Sequence, residues 1–168
     1  KDFGYTTKIL NAVEEVNFEQ KHVIPRKVVE RFGEDLTGKT FAIWGLAFKP
    51  DTDDMRQAAA ITIINELTKR GAKVKAYDPK AEKEAKVCYL KDNKNVEYCD
   101  SKYTVLVDAD AMILVTEWKE FRQPDFIEIK KRLKNPVIFD GRNQFDAHSL
   151  SDKGFEYYQI GVSSKLNK

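Results

Sequence analysis

The sequence predicts an α/β protein built on a Rossmann-like, doubly wound and mainly parallel sheet of about six strands, preceded by a long N-terminal helix. Two observations carry this prediction. Residues 40–44, 111–115 and 137–139 are short runs that are almost entirely apolar, as expected for strands buried on both faces. Amphipathic segments alternate with these runs, which is typical of a parallel sheet covered by helices on both faces.

The N-terminal segment, residues 5–32, is predicted to be helical, because apolar residues recur at spacings of three and four with charges between them. The apolar positions are Ile9, Leu10, Val13, Val16, Val23, Ile24, Val28 and Val29. Pro25 predicts a kink or a break between two helices, and Gly33 is a suitable C-cap. So long a helix in front of a compact fold suggests a connection to another domain or to a partner subunit.

After Gly38, strands and helices are predicted to alternate. The expected strands are 40–44, 73–77, 96–98, 111–115, 137–139 and 155–160, and the expected helices are 58–70, 80–86, 101–107 and 124–133. Ser101 is expected to cap the third of these helices, and Pro124 fits the first turn of the fourth.

Composition excludes several classes of protein. The 168 residues carry 29 Lys and Arg against 27 Asp and Glu, without the basic cluster of a nucleic-acid surface. No apolar run approaches the ~18 residues that a membrane helix needs. Cys88 and Cys99 are read as reduced thiols of a cytoplasmic protein. His22 and His148 have no obvious catalytic partners, and a zinc site is not expected.

The start of the chain resembles neither a signal peptide nor a natural N-terminus. It opens on Lys1 rather than Met and has no apolar segment of the kind that a signal peptide contains. We therefore expect this sequence to be part of a longer chain.

In an open parallel sheet, ligands bind beyond the carboxyl ends of the strands. This rule selects residues 45–56, 78–79, 116–121 and 140–143. The first of these loops has one glycine and is not a GxGxxG dinucleotide fingerprint. Lys49 in this loop either gives a phosphate a point charge or is a solvated surface lysine. Its three aspartates also fit simple helix capping.

Arg142 follows the predicted strand 137–139. Gly141 allows a tight turn, and the arginine is expected to point across the sheet edge towards the first loop. Lys49 and Arg142 would then converge on a diphosphate-sized site. The alternative is that Arg142 pairs with Asp140 or Asp146.

Two other strand-end features have two interpretations each. Asp78 either binds a ribose hydroxyl or, followed by Pro79, is a turn residue. Trp118 and Phe121 either stack on a base or pack against the following helix, and packing is favoured.

These loops carry a family resemblance. Residues 45–56 (GLAFKPDTDDMR), 76–79 (AYDP), 116–118 (TEW) and 140–143 (DGRN) together resemble the C-terminal, UDP-binding domain of the UDP-glucose 6-dehydrogenases, in the UDP-glucose/GDP-mannose dehydrogenase family. Residues 12–21 resemble the end of the helix that joins that family's domains. The match runs in order along essentially the whole chain.

The resemblance implies an enzyme that oxidises UDP-glucose to UDP-glucuronate with two NAD. By the family's pattern, Phe48 and Lys49 contact the nucleotide-sugar, Arg142 contacts its UDP portion, and Arg56 reaches the NAD held by an N-terminal domain. The family's catalytic cysteine has no counterpart here, since the surroundings of Cys88 and Cys99 do not match it.

The resemblance also implies a division of the chain. Residues 1–36 would be the end of the connecting and dimerisation helix, and residues 37–168 the UDP-binding domain, with a homodimer formed through residues 5–32. Two positions depart from the family's pattern: Gln57 replaces a usual Glu, and the tail 161–164 lacks an Arg often found there. Two alternatives remain: a dehydrogenase for GDP-mannose or UDP-N-acetylmannosamine, and a nucleotide-binding module without chemistry.

Overall fold

A computed structural model describes residues 7–163 and contains one six-stranded sheet. The strands are β1 (Thr40–Trp44), β2 (Lys73–Tyr77), β3 (Val96–Tyr98), β4 (Ala111–Leu114), β5 (Val137–Asp140) and β6 (Glu156–Gln159). Their order is β3-β2-β1-β4-β5-β6, and every neighbouring pair is parallel. The predicted Rossmann-like fold is confirmed. The order reverses between β1 and β4, where such folds bind ligands.

The centre of the sheet is buried because its strands are apolar on both faces. Every residue of β4 and β5 is buried, as are four of the five residues of β1. In the register, Ala42 lies beside Met112, and Met112 lies beside Ile138. The carboxyl ends of these strands are therefore aligned, and the loops that follow them meet at one edge.

The N-terminal segment forms two helices, α1 (Lys8–Lys21) and α2 (Val23–Phe32). The break lies at His22, three residues before the predicted position at Pro25. Pro25 occupies the first turn of α2, where a missing N–H costs no intrahelical hydrogen bond, so the proline begins a helix rather than ending one. Residues 5 and 6 of the predicted helix lie outside the described residues.

The two helices differ in their packing. In α2, Ile24 and Val28 are buried against the sheet, whereas α1 has no buried residue. Gly33 ends α2 at a φ of +92°, and its N–H donates to the carbonyl of Val29, as the predicted C-cap requires.

The remaining helices are α3 (Ala59–Lys69), α4 (Glu82–Glu84), α5 (Phe126–Arg132) and α6 (Ala147–Asp152). Helix α4 runs into a π-helical turn, Ala85–Tyr89. The predicted helix 101–107 is only a 3-10 turn, Thr104–Leu106, although the Oγ of Ser101 does accept the N–H of Thr104. None of the helices in the described part of the chain is long and apolar enough to cross a membrane.

Two helix starts depend on aspartate caps. The Oδ1 of Asp125 accepts the N–H groups of Ile127 and Glu128, so α5 starts after Pro124 rather than on it. Asp146 caps α6, a helix that was not predicted from the sequence, by accepting the N–H of Ser149. Helix α6 has six residues and one buried side chain, too little for a recognisable apolar period.

Candidate functional site

A cleft of about 740 Å³ lies between the carboxyl edge of the sheet and helix α1. The loops contribute Phe48, Val115, Gly141 and Arg142 to its lining, and α1 contributes Phe18 and Lys21 among other residues. The cleft lies where the strand order reverses, as the fold predicts. Of the four site residues predicted from the sequence, it contains Phe48 and Arg142.

Close packing between two strand ends shapes the first loop, residues 45–56. Gly45 has a φ of +93°, and a Cβ there would lie 2.5 Å from the Cβ of Thr116. Only glycine fits this backbone conformation and this contact without strain. The hydroxyl of Thr116 then donates a 2.6 Å hydrogen bond to the carbonyl of Ala47, which joins the loops after β1 and β4.

Asp78 also joins the loops that follow β1 and β4, from a buried position. It is buried, and its carboxylate accepts five hydrogen bonds, from the backbone N–H groups of Leu46, Ala47, Lys80 and Ala81 and from the indole N–H of Trp118. A carboxylate with this many donors inside the protein is satisfied without a ligand. The structure therefore favours the turn interpretation of Asp78 over ribose binding.

The two aromatic residues after β4 belong to the core. Trp118 is buried on Asp78, and Phe121 is fully buried and stacks on Trp44 with ring centroids 4.8 Å apart. Both rings are therefore packed in the core, as favoured, although the contacts seen are with the sheet and the Asp78 loop rather than with the following helix. Neither ring is free to stack on a base.

Arg142 reaches across the sheet edge, in the predicted direction. Its Nε donates to the carbonyl of Val115 at 2.7 Å, and its Nη2 donates to the carbonyl of Phe48 at 3.3 Å. The expected alternative partners Asp140 and Asp146 do not bind the guanidinium within the described residues. Its ion-pair partner there is Glu117, at 2.9 Å from Nε.

Asp140 supports the Arg142 loop from inside the sheet. It is fully buried and accepts hydrogen bonds from the backbone N–H groups of Arg142, Gln144 and Phe145 and from the hydroxyl of Tyr157. This role of Asp140 was not predicted from the sequence. An aspartate at the end of an otherwise apolar strand was the available signal, whereas nothing local to Tyr157 indicated its partner.

Phe48 and Lys49 are both exposed at the tip of the first loop. Phe48 lines the cleft with about half of its surface accessible. Lys49 does not line the cleft, and its charge acts on Asp54, lowering the pKa of that carboxyl. The structure therefore brings Arg142 and Phe48 together in the cleft lining, whereas Lys49 lies outside that lining.

Arg56 lies on the outer side of the same loop. Its guanidinium contacts both carboxylate oxygens of Asp54, with the shortest distance at 2.7 Å. Hydrogen bonds from the Arg56 side chain and backbone lower the pKa of Asp54 to about 2. Arg56 is 81% exposed and is not part of the cleft lining.

Gln57, the residue that departs from the family's pattern, bridges this loop to helix α1. Its backbone has a φ of +61°, and its Oε1 accepts a 2.8 Å hydrogen bond from Lys21. Both residues line the cleft, so α1 is attached to the first loop by a neutral acceptor.

The cysteines show no sign of activation. Both are free thiols, Cys88 exposed and Cys99 buried. The pKa of Cys88 is raised mainly by a hydrogen bond to Glu84, and the pKa of Cys99 mainly by burial. A raised pKa disfavours the nucleophilic thiolate. Among residues 7–163, no three His, Cys, Asp or Glu side chains are grouped to hold a metal ion.

Comparison with known proteins gives a consistent result. The chain is 40% identical over 165 residues to UDP-glucose 6-dehydrogenase from Pseudomonas aeruginosa, covering 94% of this chain and 35% of that protein. UDP-glucose 6-dehydrogenase TuaD from Bacillus subtilis is also 40% identical, over 96% of this chain and 34% of its own. The chain thus spans about a third of the length of these relatives.

The fold has a close counterpart in a solved UDP-glucose dehydrogenase from Pyrobaculum islandicum. That structure matches with a TM-score of 0.76 and 28% identity, over 94% of this chain and 33% of its own. The family model for the UDP binding domain of the UDP-glucose/GDP-mannose dehydrogenase family matches residues 42–147. These residues include most of β1 and the loops that follow β1, β2, β4 and β5, and the chain therefore belongs to the UDP-glucose/GDP-mannose dehydrogenase family, as its UDP-binding domain.

Proposed function

We propose that this chain is the UDP-sugar-binding part of an NAD-dependent UDP-glucose 6-dehydrogenase, which converts UDP-glucose and two NAD into UDP-glucuronate. The observation that carries the proposal is the position of Arg142, a fixed cation in a cleft at the strand-order reversal. Identity of 40% to two UDP-glucose 6-dehydrogenases supports this substrate.

Arg142 is suited to the UDP diphosphate because it is already ordered. The carbonyls of Val115 and Phe48 hold the guanidinium, and in the described structure Nη1 donates to no acceptor. Arginine N–H groups form strong, often paired hydrogen bonds with phosphate oxygens, and a preorganised side chain loses less entropy on binding. Phe48 provides apolar surface in the same cleft, and Lys49 adds positive charge at its margin.

Arg56 is proposed to contact NAD rather than UDP. It projects from the outer side of the first loop, away from the cleft lining. A second domain carrying the dinucleotide would meet it there. We place the catalytic cysteine outside this chain, since the raised pKa values of Cys88 and Cys99 disfavour a nucleophilic role. The two free thiols fit a cytoplasmic enzyme.

We divide the chain as the family resemblance implies, with residues 1–36 as the end of a connecting helix and 37–168 as the UDP-binding domain. The exposed large apolar side chains of α1 are Ile9, Leu10, Val13, Val16 and Phe18. Apolar surface of this kind marks an interface, and we propose a second copy of the chain as its partner. Light scattering should show a dimer, and the double substitution Val13→Glu, Val16→Glu should yield a folded monomer. A wild-type monomer at high micromolar concentration would contradict the dimer.

Calorimetric titration with UDP-glucose tests the cleft. Arg142→Ala removes a charge-assisted contact worth roughly 1.5–3 kcal/mol, so binding should weaken by about one to two decades. Lys49→Ala should have a smaller effect in the same direction, because an exposed charge is screened by solvent. Combined, the two should be less than additive, as both cations act on one ligand group.

Two controls accompany this titration. Arg56→Ala should leave UDP-glucose affinity nearly intact. Lys75→Ala should also do little, because Lys75 donates to the carbonyl of Val107 and does not line the cleft. Unchanged affinity in Arg142→Ala would show that the assigned cleft is wrong. Thermal shifts with UDP-glucose, UDP-N-acetylmannosamine and GDP-mannose would establish the sugar nucleotide.

A further inference from the structure

Glu117 is an unusual neighbour for an anion-binding arginine. It follows β4, and its Oε2 lies 2.9 Å from the Nε of Arg142. That oxygen is buried, yet no donor among the described residues hydrogen-bonds to it, because the Nε–H is directed at the carbonyl of Val115. A carboxylate oxygen is therefore kept out of water beside Arg142, with only an ionic contact to compensate.

This arrangement is poor for stability. A buried oxygen without a hydrogen bond loses its hydration without full replacement, and ion pairs at this level of exposure contribute little. Most buried polar atoms in proteins are satisfied, so an exception calls for an explanation. Better donors for the Glu117 carboxylate would strengthen the fold, but they would also fix a negative charge beside Arg142.

We propose that Glu117 is an exchangeable counterion of Arg142, which the anionic group of the ligand replaces when it binds. Glu117 neutralises the guanidinium in the empty cleft, and its weak attachment lets a stronger anion displace it. The glutamate then competes with every anionic ligand for Arg142, and it opposes a more highly charged ligand more strongly. This inference rests on the proposed role of Arg142 in binding UDP.

A ligand series of increasing charge tests the proposal: uridine, UMP and UDP, each titrated calorimetrically into wild-type protein, Glu117→Gln and Glu117→Ala. Removing the competing carboxylate should tighten UDP binding by about three- to tenfold, tighten UMP binding by less, and leave uridine binding unchanged. Glu117→Ala is included because the glutamine of Glu117→Gln could itself form new hydrogen bonds to Arg142 or to the ligand. The gain should shrink at high salt, where the charges are screened.

Glu120→Gln is the matched control. It makes the same charge change three residues along the same loop, but Glu120 accepts from the hydroxyl of Tyr77, whereas the ion-pair partner of Arg142 among the described residues is Glu117. Its UDP affinity should equal that of wild type. If Glu120→Gln tightens UDP binding as much as Glu117→Gln does, net charge alone is responsible and the proposal is overturned.

The remaining outcomes separate this inference from the proposed function. Weaker or unchanged UDP binding in both Glu117 variants would show that Glu117 does not compete with the ligand. If uridine affinity rises as much as UDP affinity, the substitution has loosened the loop in general. Either result overturns the counterion role. If wild-type protein binds UDP and Arg142→Ala weakens it, the proposed function survives such a result. If wild-type protein binds neither UDP nor UDP-glucose, both fail.

Discussion

The carboxyl edge of the sheet has two halves, one held by the carboxylate of Asp78 and the other by the carboxylate of Asp140. The two carboxylates differ in which loops they bind. Asp78, after β2, accepts hydrogen bonds from the loops that follow β1, β2 and β4. Asp140, at the end of β5, accepts mainly from its own loop and from Tyr157 on β6. In the first half a single carboxylate joins three loops, whereas the carboxylate of the second half binds the backbone of one loop, and the Arg142 side chain makes the contacts to the other loops. The oxygens of both carboxylates are satisfied by N–H and O–H donors rather than by cations.

Each half also contains a glycine, Gly45 in the first and Gly141 in the second, and the two glycines are required for different reasons. Gly45 has a positive φ and packs against the backbone and side chain of Thr116, whereas Gly141 has no positive φ, and a Cβ there would lie 2.9 Å from the carbonyl oxygen of Leu114. Gly141 is therefore required because the carbonyl of Leu114 approaches it closely, and not because its backbone is left-handed.

The largest expected effect is that of Gly45→Ala. It adds a Cβ in a left-handed conformation, which costs roughly 1–2 kcal/mol, and it overpacks a buried contact, which costs roughly 1–3 kcal/mol more. Gly141→Ala has only the second cost. Urea unfolding should therefore show a loss of about 3 kcal/mol or more for Gly45→Ala and about half of that for Gly141→Ala. Equal losses would mean that the two halves are equally tolerant and that the contrast is wrong.

A smaller effect is expected from Tyr157→Phe, which removes one donor from Asp140. The hydroxyl is buried and lies 2.7 Å from Oδ2, and burial together with the Asp140 charge raises the pKa of Tyr157. The loss of this hydrogen bond should lower the free energy of unfolding by about 1–2 kcal/mol. Three backbone donors remain, so UDP-glucose affinity should change little.

Tyr158→Phe is the control for Tyr157→Phe, since the neighbouring hydroxyl contacts Glu156, which is partly exposed. Its unfolding free energy should stay within about 0.5 kcal/mol of wild type. If Tyr157→Phe abolishes UDP-glucose binding without unfolding the protein, the Arg142 loop depends on β6 more than its local contacts indicate.

The sheet could be predicted from the sequence because strands buried on both faces of a parallel sheet are short apolar runs. The direction of Arg142 could also be predicted, since strand ends share an edge. The break at His22 was misplaced because Pro25 fits both the end of one helix and the first turn of the next. Helix α6 has too few buried residues to show a period. The Glu117–Arg142 contact joins two loops and the Tyr157–Asp140 contact joins two strands, and no local pattern encodes either contact.

The smallest expected effect concerns Asp54 and Arg56, which belong to the outer side of the first half. Arg56 donates to Asp54 through its side chain and its backbone N–H, and together they lower the pKa of Asp54 to about 2. Arg56→Ala removes the larger, side-chain contribution but keeps the N–H, so the pKa should rise part of the way towards the ordinary ~3.9. A carbon-detected NMR titration of the carboxyl group measures this directly.

The pH dependence follows from the sign of that shift. Because the folded-state pKa of Asp54 lies below its unfolded value, the contribution of this carboxylate to stability is present above pH ~4 and is lost as the pH falls towards 2. Arg56→Ala should flatten the stability profile in this interval, so that the variant is slightly less stable than wild type near neutral pH and the difference disappears as the pH approaches ~2. Lys49→Ala should shift the pKa of Asp54 less, because Lys49 acts only through its charge at a distance. A pKa that stays at about 2 in Arg56→Ala would show that the loop backbone alone stabilises the carboxylate, and the outer side of this loop would then be held together as its buried side is, by N–H donors rather than by a cation.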